Sequence, residues 1–198
     1  MIAIVSYDAG NIGSVSNALR RLGVDSVITS DVAKIKSAKG VIFPGQGRAG
    51  PAMKSLANSG LDKLLPKLEQ PFLGICLGMQ LMVDRIDEDN QTGLGVIPGK
   101  CVRFKDIKPI PHMGWNQVKA KTSPLFNGIK NDFYQYFVHS YAVHSPDRYI
   151  LAETDYGGKF ASAIARDNFY GTQFHPEKSG ETGEQVLKNF LNICGAIK

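Results

Sequence analysis

The first half of the sequence alternates short apolar runs with segments of helical periodicity. The apolar runs predict strands at residues 2–6, 26–29, 41–43 and 72–75. Helical spacing predicts one helix at 12–22, ended by Gly23, and one or two helices between 49 and 68 with a break near 59–60. This alternation is typical of a parallel sheet with helices on both faces, whose sites lie beyond the carboxyl ends of the strands.

The second half changes character, because short β-type runs separated by turn signals extend from residue 100 to 174. The runs include those at 133–138, 150–152, 163–165 and 170–174. A final helix at 181–193 is predicted to turn four apolar residues inward: Val186, Leu187, Phe190 and Leu191. We therefore predict an α/β, three-layer fold with a mostly parallel central sheet and an antiparallel β meander in the second half. No repeat or linker divides the chain, so residues 1–198 are expected to form a single domain.

The composition is that of a globular chain, with 43% hydrophobic and 21% charged residues. No apolar run reaches the roughly 18–20 residues that span a bilayer, and the first strand starts without a signal peptide. We therefore expect a cytoplasmic protein with no membrane partner. The lysines and arginines behind the net charge of +5 are scattered and not interleaved with aromatic residues, so no nucleic-acid partner is expected.

The cysteines, an odd number, lie far apart in the sequence: Cys76, Cys101 and Cys194. Without a CxxC spacing they indicate neither a disulfide framework nor a zinc site, and no metal is predicted. Cys101 and Cys194 are expected to be small apolar residues of the interior.

Cys76 stands in the segment FLGICLGMQ, between an apolar run and a helical one. Gly74 and Gly78 lie two residues to each side, where a tight strand-to-helix turn leaves no room for side chains. This is the pattern of a nucleophile elbow. The first amides of the helix favour negative charge on the sulfur, and the N–H of Leu77 is placed to bind an oxyanion.

A cysteine nucleophile needs a base, and the candidates are His112, His139, His144 and His175. The last stands in GTQFHPE, where Pro176 restricts it to extended backbone. Residues i and i+2 of an extended segment point the same way, so Glu177 is predicted to lie beside the imidazole. The sequence therefore predicts a triad of Cys76, His175 and Glu177.

A glycine-rich loop follows the run at 41–43, in the segment VIFPGQG. Backbone N–H groups of such a loop can bind an anion or a developing oxyanion. A phosphate cradle is the alternative, although the loop lacks the Lys-Ser/Thr of a P-loop. The glycines on both sides of Gln46 leave this peptide free to reorient.

These three segments together resemble the class I, or triad, glutamine amidotransferases over the whole chain. The segments DAGNIGS at 8–14 and PHMGWN at 111–116 resemble, more narrowly, the glutaminase subunits of imidazole glycerol phosphate synthase. The resemblance implies that Cys76 attacks the carboxamide of L-glutamine, releasing ammonia and then glutamate, while His175 moves protons and Glu177 orients it. Ammonia then passes to a separate (β/α)8 synthase subunit in a heterodimer of histidine biosynthesis. No metal or organic cofactor is implied.

The resemblance also implies roles for further residues. The oxyanion hole would be formed by Leu77, Gln46 and Gly47. Glutamine would be bound by Gly45, Gln80, His139, Ser140 and Tyr141. The synthase partner would be contacted by Asn11, Trp115, Asn116, Tyr136 and Lys178. Gln46 departs from the family pattern, which has a small aliphatic residue there, and Trp115 and Tyr136 also fit as core aromatics.

Three alternatives stay open at this point. One is a glutaminase that serves a different synthase, since the chain carries no acceptor site of its own. Another is a stand-alone cysteine hydrolase of γ-glutamyl substrates on the same scaffold, which would have no use for the PHMGWN segment. The last is a non-catalytic subunit with a relic site, against which the intact triad argues.

Overall fold

The computed structural model describes residues 1–7, 12–105, 107–130 and 132–197. Within these ranges the α-helices are α1 Ile12–Arg21, α2 Val32–Ser37, α3 Ala49–Ser59, α4 Leu61–Leu64, α5 Leu77–Leu81 and α6 Gly180–Ile193. The first strands are β1 Ile2–Val5, β2 Ser26–Thr29, β3 Gly40–Phe43, β4 Phe72–Ile75, β5 Arg85–Ile86, β6 Gln91–Thr92 and β7 Lys100–Arg103. The others are β8 His112–Ala120, β9 Asp132–His139, β10 Tyr141–His144, β11 Ile150–Asp155, β12 Lys159–Arg166 and β13 Phe169–Thr172.

The strands join in one sheet whose two halves differ in direction. One half has the order β2-β1-β3-β4-β13, and every neighbouring pair in it is parallel. From β13 the sheet continues through β12, β10 and β7 by antiparallel pairs. The long antiparallel hairpin of β8 and β9 joins through β11. The predicted α/β fold, with its mostly parallel sheet and antiparallel meander, is confirmed.

The core lies in two layers, one on each face of the sheet, because alternate side chains of a strand point to opposite faces. In β1, Ala3 and Val5 join the cluster under α3 and α4, whereas Ile2 and Ile4 join the cluster under α1 and α6. The four apolar residues of α6 named above are all buried. Helices therefore cover both faces of the sheet, as the three-layer prediction requires.

Several boundaries differ from the sequence prediction. The interruption near 59–60 is confirmed, since Gly60 has a left-handed backbone with φ 71° between α3 and α4. Helix α2 was missed, because it has six residues of which only Ile35 is buried, and an N-cap at Asp31 signals its start. The run predicted to reach residue 174 ends at Thr172, the last residue of β13. No helix in the described ranges is long and apolar enough to cross a membrane.

Candidate active site

Cys76 lies on the turn between β4 and α5, as the elbow pattern predicts. Its backbone has φ 54° and ψ −108°, a conformation that non-glycine residues rarely adopt, so the fold holds it under strain. Its N–H donates to the carbonyl of Thr172 at 2.7 Å, which fixes the turn to β13. A Cβ on Gly78 would overlap the carbonyl oxygen of Phe43, and one on Gly74 would lie 2.8 Å from the carbonyl carbon of Gly78. The predicted need for glycine at both positions is confirmed.

His175 and Glu177 meet in the way that the HPE segment predicts. Nδ1 of His175 lies 2.9 Å from Oε1 of Glu177, and both side chains are buried. The histidine backbone is held from β9, because its N–H donates to the carbonyl of Tyr136 at 3.0 Å. Ser179 adds a second tie, since its hydroxyl donates to the carbonyl of His175 at 2.7 Å and accepts from the N–H of Tyr136 at 2.9 Å. The ring is thereby fixed in orientation.

The electrostatics of His175 connect it with the sulfur. Burial lowers the pKa of His175, but interactions with Cys76 and with Glu177 outweigh it and raise the pKa from 6.5 to about 10. Nε2 of the ring is buried and has no hydrogen-bond partner among the described residues. The second ring nitrogen is thus available to the thiol, while the first is held by the carboxylate.

The other two cysteines lie in different surroundings. Cys101 is fully buried in β7, and burial raises the pKa of its thiol well above its ordinary value. Cys194 follows α6 under Gly40, and burial raises the pKa of its thiol to about 12. Both groups are therefore protonated at neutral pH and poorly nucleophilic.

The sulfur of Cys76 has two further polar neighbours that the sequence analysis missed. Nε2 of Gln173 lies 3.6 Å from Sγ, and the carbonyl oxygen of Val138 lies 3.9 Å from it. Gln173 stands two residues before His175, so the i, i+2 rule that placed Glu177 also indicates Gln173. Val138 carries no such signal, because it lies in β9, which is tied to the site by the hydrogen bond from the N–H of His175 to the carbonyl of Tyr136.

A cavity of about 460 Å³ opens beside the sulfur. It brings together the predicted oxyanion and substrate-binding residues Gln46, Gly47, Leu77, Gln80, His139, Ser140 and Tyr141. Gly45 is not among the lining residues; it packs on the elbow, where a Cβ would lie 2.9 Å from that of Leu77. Gly47 has φ 118°, a conformation that favours glycine, so this position of the loop is sterically specified.

An acidic turn fixes the loop from the other side. Arg48 forms an ion pair with Asp89. The N–H of Ala49 donates to Glu88 at 2.9 Å, and that of Gly50 donates to Asp89 at 3.1 Å. These carboxylates therefore cap the first turn of α3. Glu88 also lines the cavity and is a further residue that the sequence analysis missed.

The class-I glutamine amidotransferase family matches this chain over residues 4–194. The chain belongs to the class-I glutamine amidotransferases. The imidazole glycerol phosphate synthase subunit HisH of Bacteroides fragilis is 50% identical over 195 residues, covering 97% of this chain and 99% of that protein. The subunit of the same name from Archaeoglobus fulgidus is 44% identical over 196 residues and covers 98% of both proteins.

Solved structures show the same fold in other amidotransferases. A putative GMP synthase protein from Thermoplasma acidophilum superposes with a TM-score of 0.77 at 22% identity, covering 98% of this chain and 94% of that one. The glutaminase domain of Trypanosoma brucei CTPS, with bound acivicin, has a TM-score of 0.70 at 18% identity, covering 100% and 94%. At identities of 22% and 18%, these two comparisons show only that the folds are alike.

Three of the predicted interface residues lie together at the mouth of the amidotransferase cavity. Trp115 is 56% exposed, so it is not a core aromatic. It pairs with Tyr136 across the β8–β9 hairpin, with ring centroids 6.3 Å apart, and Tyr136 and Lys178 line the cavity. Met113 and Tyr134 are also exposed on this hairpin, so the surface presents apolar side chains to solvent.

Of the remaining two predicted interface residues, Asn116 is not part of this group. Asn116 alternates with Trp115 along β8, and its side chain turns instead to His112 and to the carbonyl of Asp155. Asn11 lies outside the described residues. Within the described ranges no group of His, Cys, Asp and Glu side chains is arranged to hold a metal ion.

Proposed function

We propose that this chain is the glutaminase subunit of an imidazole glycerol phosphate synthase, using Cys76, His175 and Glu177 to release ammonia from L-glutamine. The observation that carries the proposal is the strained elbow of Cys76 beside the buried His175–Glu177 pair, at a cavity large enough for an amino acid. The HisH relatives support the choice of synthase, since the identity of 50% extends over nearly the whole of both chains.

In this mechanism the sulfur of Cys76 attacks the carboxamide carbon of glutamine, and the carbonyl oxygen becomes an oxyanion. The N–H of Leu77 and an N–H of the loop at Gln46 and Gly47 hold that oxyanion. His175 donates its proton to the departing nitrogen, which leaves as ammonia, and a γ-glutamyl thioester remains. Water then attacks the thioester while the neutral His175 accepts its proton, and glutamate and the free sulfur are restored.

The cavity offers groups for both ends of the substrate. Glu88 presents a carboxylate to the cavity, which suits the α-ammonium group of glutamine. Gln80 and the segment 139–141 also line the cavity and are proposed to hold the side chain and the α-carboxylate. No organic cofactor takes part in these steps, which use only side chains and backbone amides of this chain.

The partner is proposed to be a (β/α)8 synthase subunit that receives the ammonia in a heterodimer. The exposed surface of Met113, Trp115 and Tyr134, continued by Tyr136 and Lys178, supports docking at the cavity mouth. Ammonia released beside Cys76 would then pass directly to the partner. A cytoplasmic location stays a prediction.

The test compares glutamate release by the isolated chain with release by its complex with the synthase partner, to which the partner's own ligand is bound. We expect the complex to be faster by a factor on the order of 10²–10³, the usual effect of one oxyanion donor, because the glycines around Gln46 let that peptide change orientation. Cys76→Ser in the same complex gives the background rate. An isolated chain that already works at full speed would instead support a stand-alone hydrolase of γ-glutamyl substrates.

A further inference from the structure

Gln173 is fully buried behind the sulfur of Cys76. Its Nε2 lies 3.6 Å from Sγ, and its Oε1 lies 3.0 Å from Nε2 of Gln80. Gln173 does not line the cavity, so the substrate side of the sulfur is free of it. Its carboxamide therefore contacts the reacting atom without contacting the space for glutamine.

A backbone carbonyl decides which end of each amide faces its neighbour. Nε2 of Gln80 lies 3.1 Å from the carbonyl oxygen of Tyr141, which can only accept a hydrogen bond. The amide nitrogen of Gln80 must therefore point towards the carbonyl of Tyr141, and its second hydrogen faces Gln173. The atom of Gln173 that meets this hydrogen is consequently the oxygen, and the remaining end, the NH₂ group, faces the sulfur.

The same carbonyl is held from its other side by a pair of neutral histidines. Nδ1 of His139 lies 2.7 Å from the oxygen of Tyr141. Nε2 of His139 lies 3.0 Å from Nδ1 of His112. The other nitrogen of His112, Nε2, lies 3.2 Å from Nδ2 of Asn116. Burial lowers the pKa of His139 to about 3 and that of His112 to about 4, so both rings are neutral at pH 7. Each ring then donates through Nδ1 and accepts through Nε2, and every hydrogen bond of the series is satisfied.

We propose that Gln173 is a further catalytic residue, which donates a hydrogen bond to the sulfur of Cys76 and stabilises its anionic form, and that Gln80 is the residue that positions it. This inference rests on the proposed function, in which Cys76 is the nucleophile. A hydrogen bond to the charged form of a group favours that form, and bonds to charged groups are the stronger ones. The carbonyl of Val138 offers the alternative contact to the protonated thiol.

The first experiment measures the rate at which iodoacetamide alkylates Cys76 as a function of pH, with peptide mapping to assign the label. Iodoacetamide has neither the α-amino nor the α-carboxyl group of glutamine, so the substrate contacts of Gln80 do not affect it. Gln173→Met keeps the side-chain length and removes the donor. We expect the rate at pH 7 to fall about tenfold and the midpoint of the profile to rise by about one pH unit.

Two further variants and a matched control complete the design. Gln173→Glu keeps the shape but places a carboxylate oxygen at the sulfur, so its midpoint should rise further. Gln80→Met removes the positioning bond and should shift the midpoint in the same direction by less, which keeps the proposal testable if neither Gln173 variant folds. Gln135→Met is the control: Gln135 is fully buried and bonds to Thr182, so this change should lower stability and leave the midpoint unchanged.

The second measurement is steady-state glutamine hydrolysis in the complex with the synthase partner. Because Gln173 lies behind the sulfur, Gln173→Met should lower kcat about tenfold and leave KM for glutamine within a factor of about two. A folded Gln173→Met chain with the wild-type alkylation profile and kcat would overturn the proposal. Failure of the wild-type Cys76 to be alkylated selectively would overturn the proposed function instead, so the two failures are distinguishable.

Discussion

Replacing Gly78 with alanine tests whether the close approach of β3 and α5 builds the active site. A Cβ at this position would overlap the carbonyl oxygen of Phe43 and lie 2.9 Å from its carbonyl carbon. The overlap with the oxygen is the closer of the two contacts, so the strand and the helix must separate by more than about 1 Å to restore ordinary van der Waals contact. Overpacking of this kind lowers the free energy of unfolding by about 1–3 kcal/mol.

The effect on activity should exceed the effect on stability. Phe43 ends β3 and leads directly into the loop at Gln46 and Gly47, so a displaced strand end moves the loop relative to Cys76. A misplacement of about 1 Å can lower the rate about 10²-fold. We therefore expect Gly78→Ala to lower kcat for glutamate release about 10²-fold, measured with saturating synthase partner, while denaturant unfolding gives the stability change.

Gly13→Ala is the matched control, because Gly13 lies in α1 and an added Cβ would meet no atom of the described residues within 4 Å. Alanine is preferred over glycine inside a helix by about 0.5–1 kcal/mol, so this variant should be slightly more stable. A Gly78→Ala chain with wild-type stability and wild-type kcat would refute the reasoning. It would show that the strand and the helix separate without consequence for the site.

The remaining predictions concern the triad and the neutral histidines. A glutamine-mimicking alkylator should label Cys76 alone, and peptide mapping that finds most of the label on another cysteine would contradict the assignment. His175→Ala should lower glutamate release nearly as much as Cys76→Ser, and Glu177→Gln should lower it less, because the carboxylate only orients the ring; the reverse order would be evidence against these roles. The pKa values of His139 and His112 lie below their ordinary value of 6.5, so the unfolded chain binds more protons and stability should fall as the pH drops from about 6.5 towards 4 and 3. His112→Phe should flatten that decline in unfolding experiments, and an unchanged slope would mean that this ring does not contribute to it.

The parallel half of the fold could be predicted from the sequence because its signals are local. Each of β1, β2, β3 and β4 is a short run of mostly apolar residues, and the predicted ranges differ from the structure by one residue at most. The proximity of His175 and Glu177 could also be predicted, because an extended backbone places alternate residues on one side. The elbow could be predicted as well, because the glycines that it requires lie within two residues of Cys76 in the sequence.

The rest depends on contacts between distant parts of the chain. Glu88 and Asp89 cap α3 through bonds that span 39 positions, and nothing in the local pattern of either segment indicates the other. Asn116 faces away from Trp115 because successive side chains alternate along β8, and the partners that it then meets, His112 and Asp155, are brought to it by the fold. Helix α2 was missed because six residues with one buried side chain give no periodicity to detect.

The pairing of β13 with β4 has a consequence for the protein during its synthesis. The proposed nucleophile follows β4 and the proposed base follows β13, and Gln173 reaches Cys76 across 97 positions of sequence. The elbow leaves the ribosome early, but its partners follow only after the whole antiparallel half has been translated. A growing chain therefore holds the proposed nucleophile without its proposed base until β13 pairs with β4. Activity of the proposed triad therefore depends on the pairing of two strands that lie far apart in the sequence.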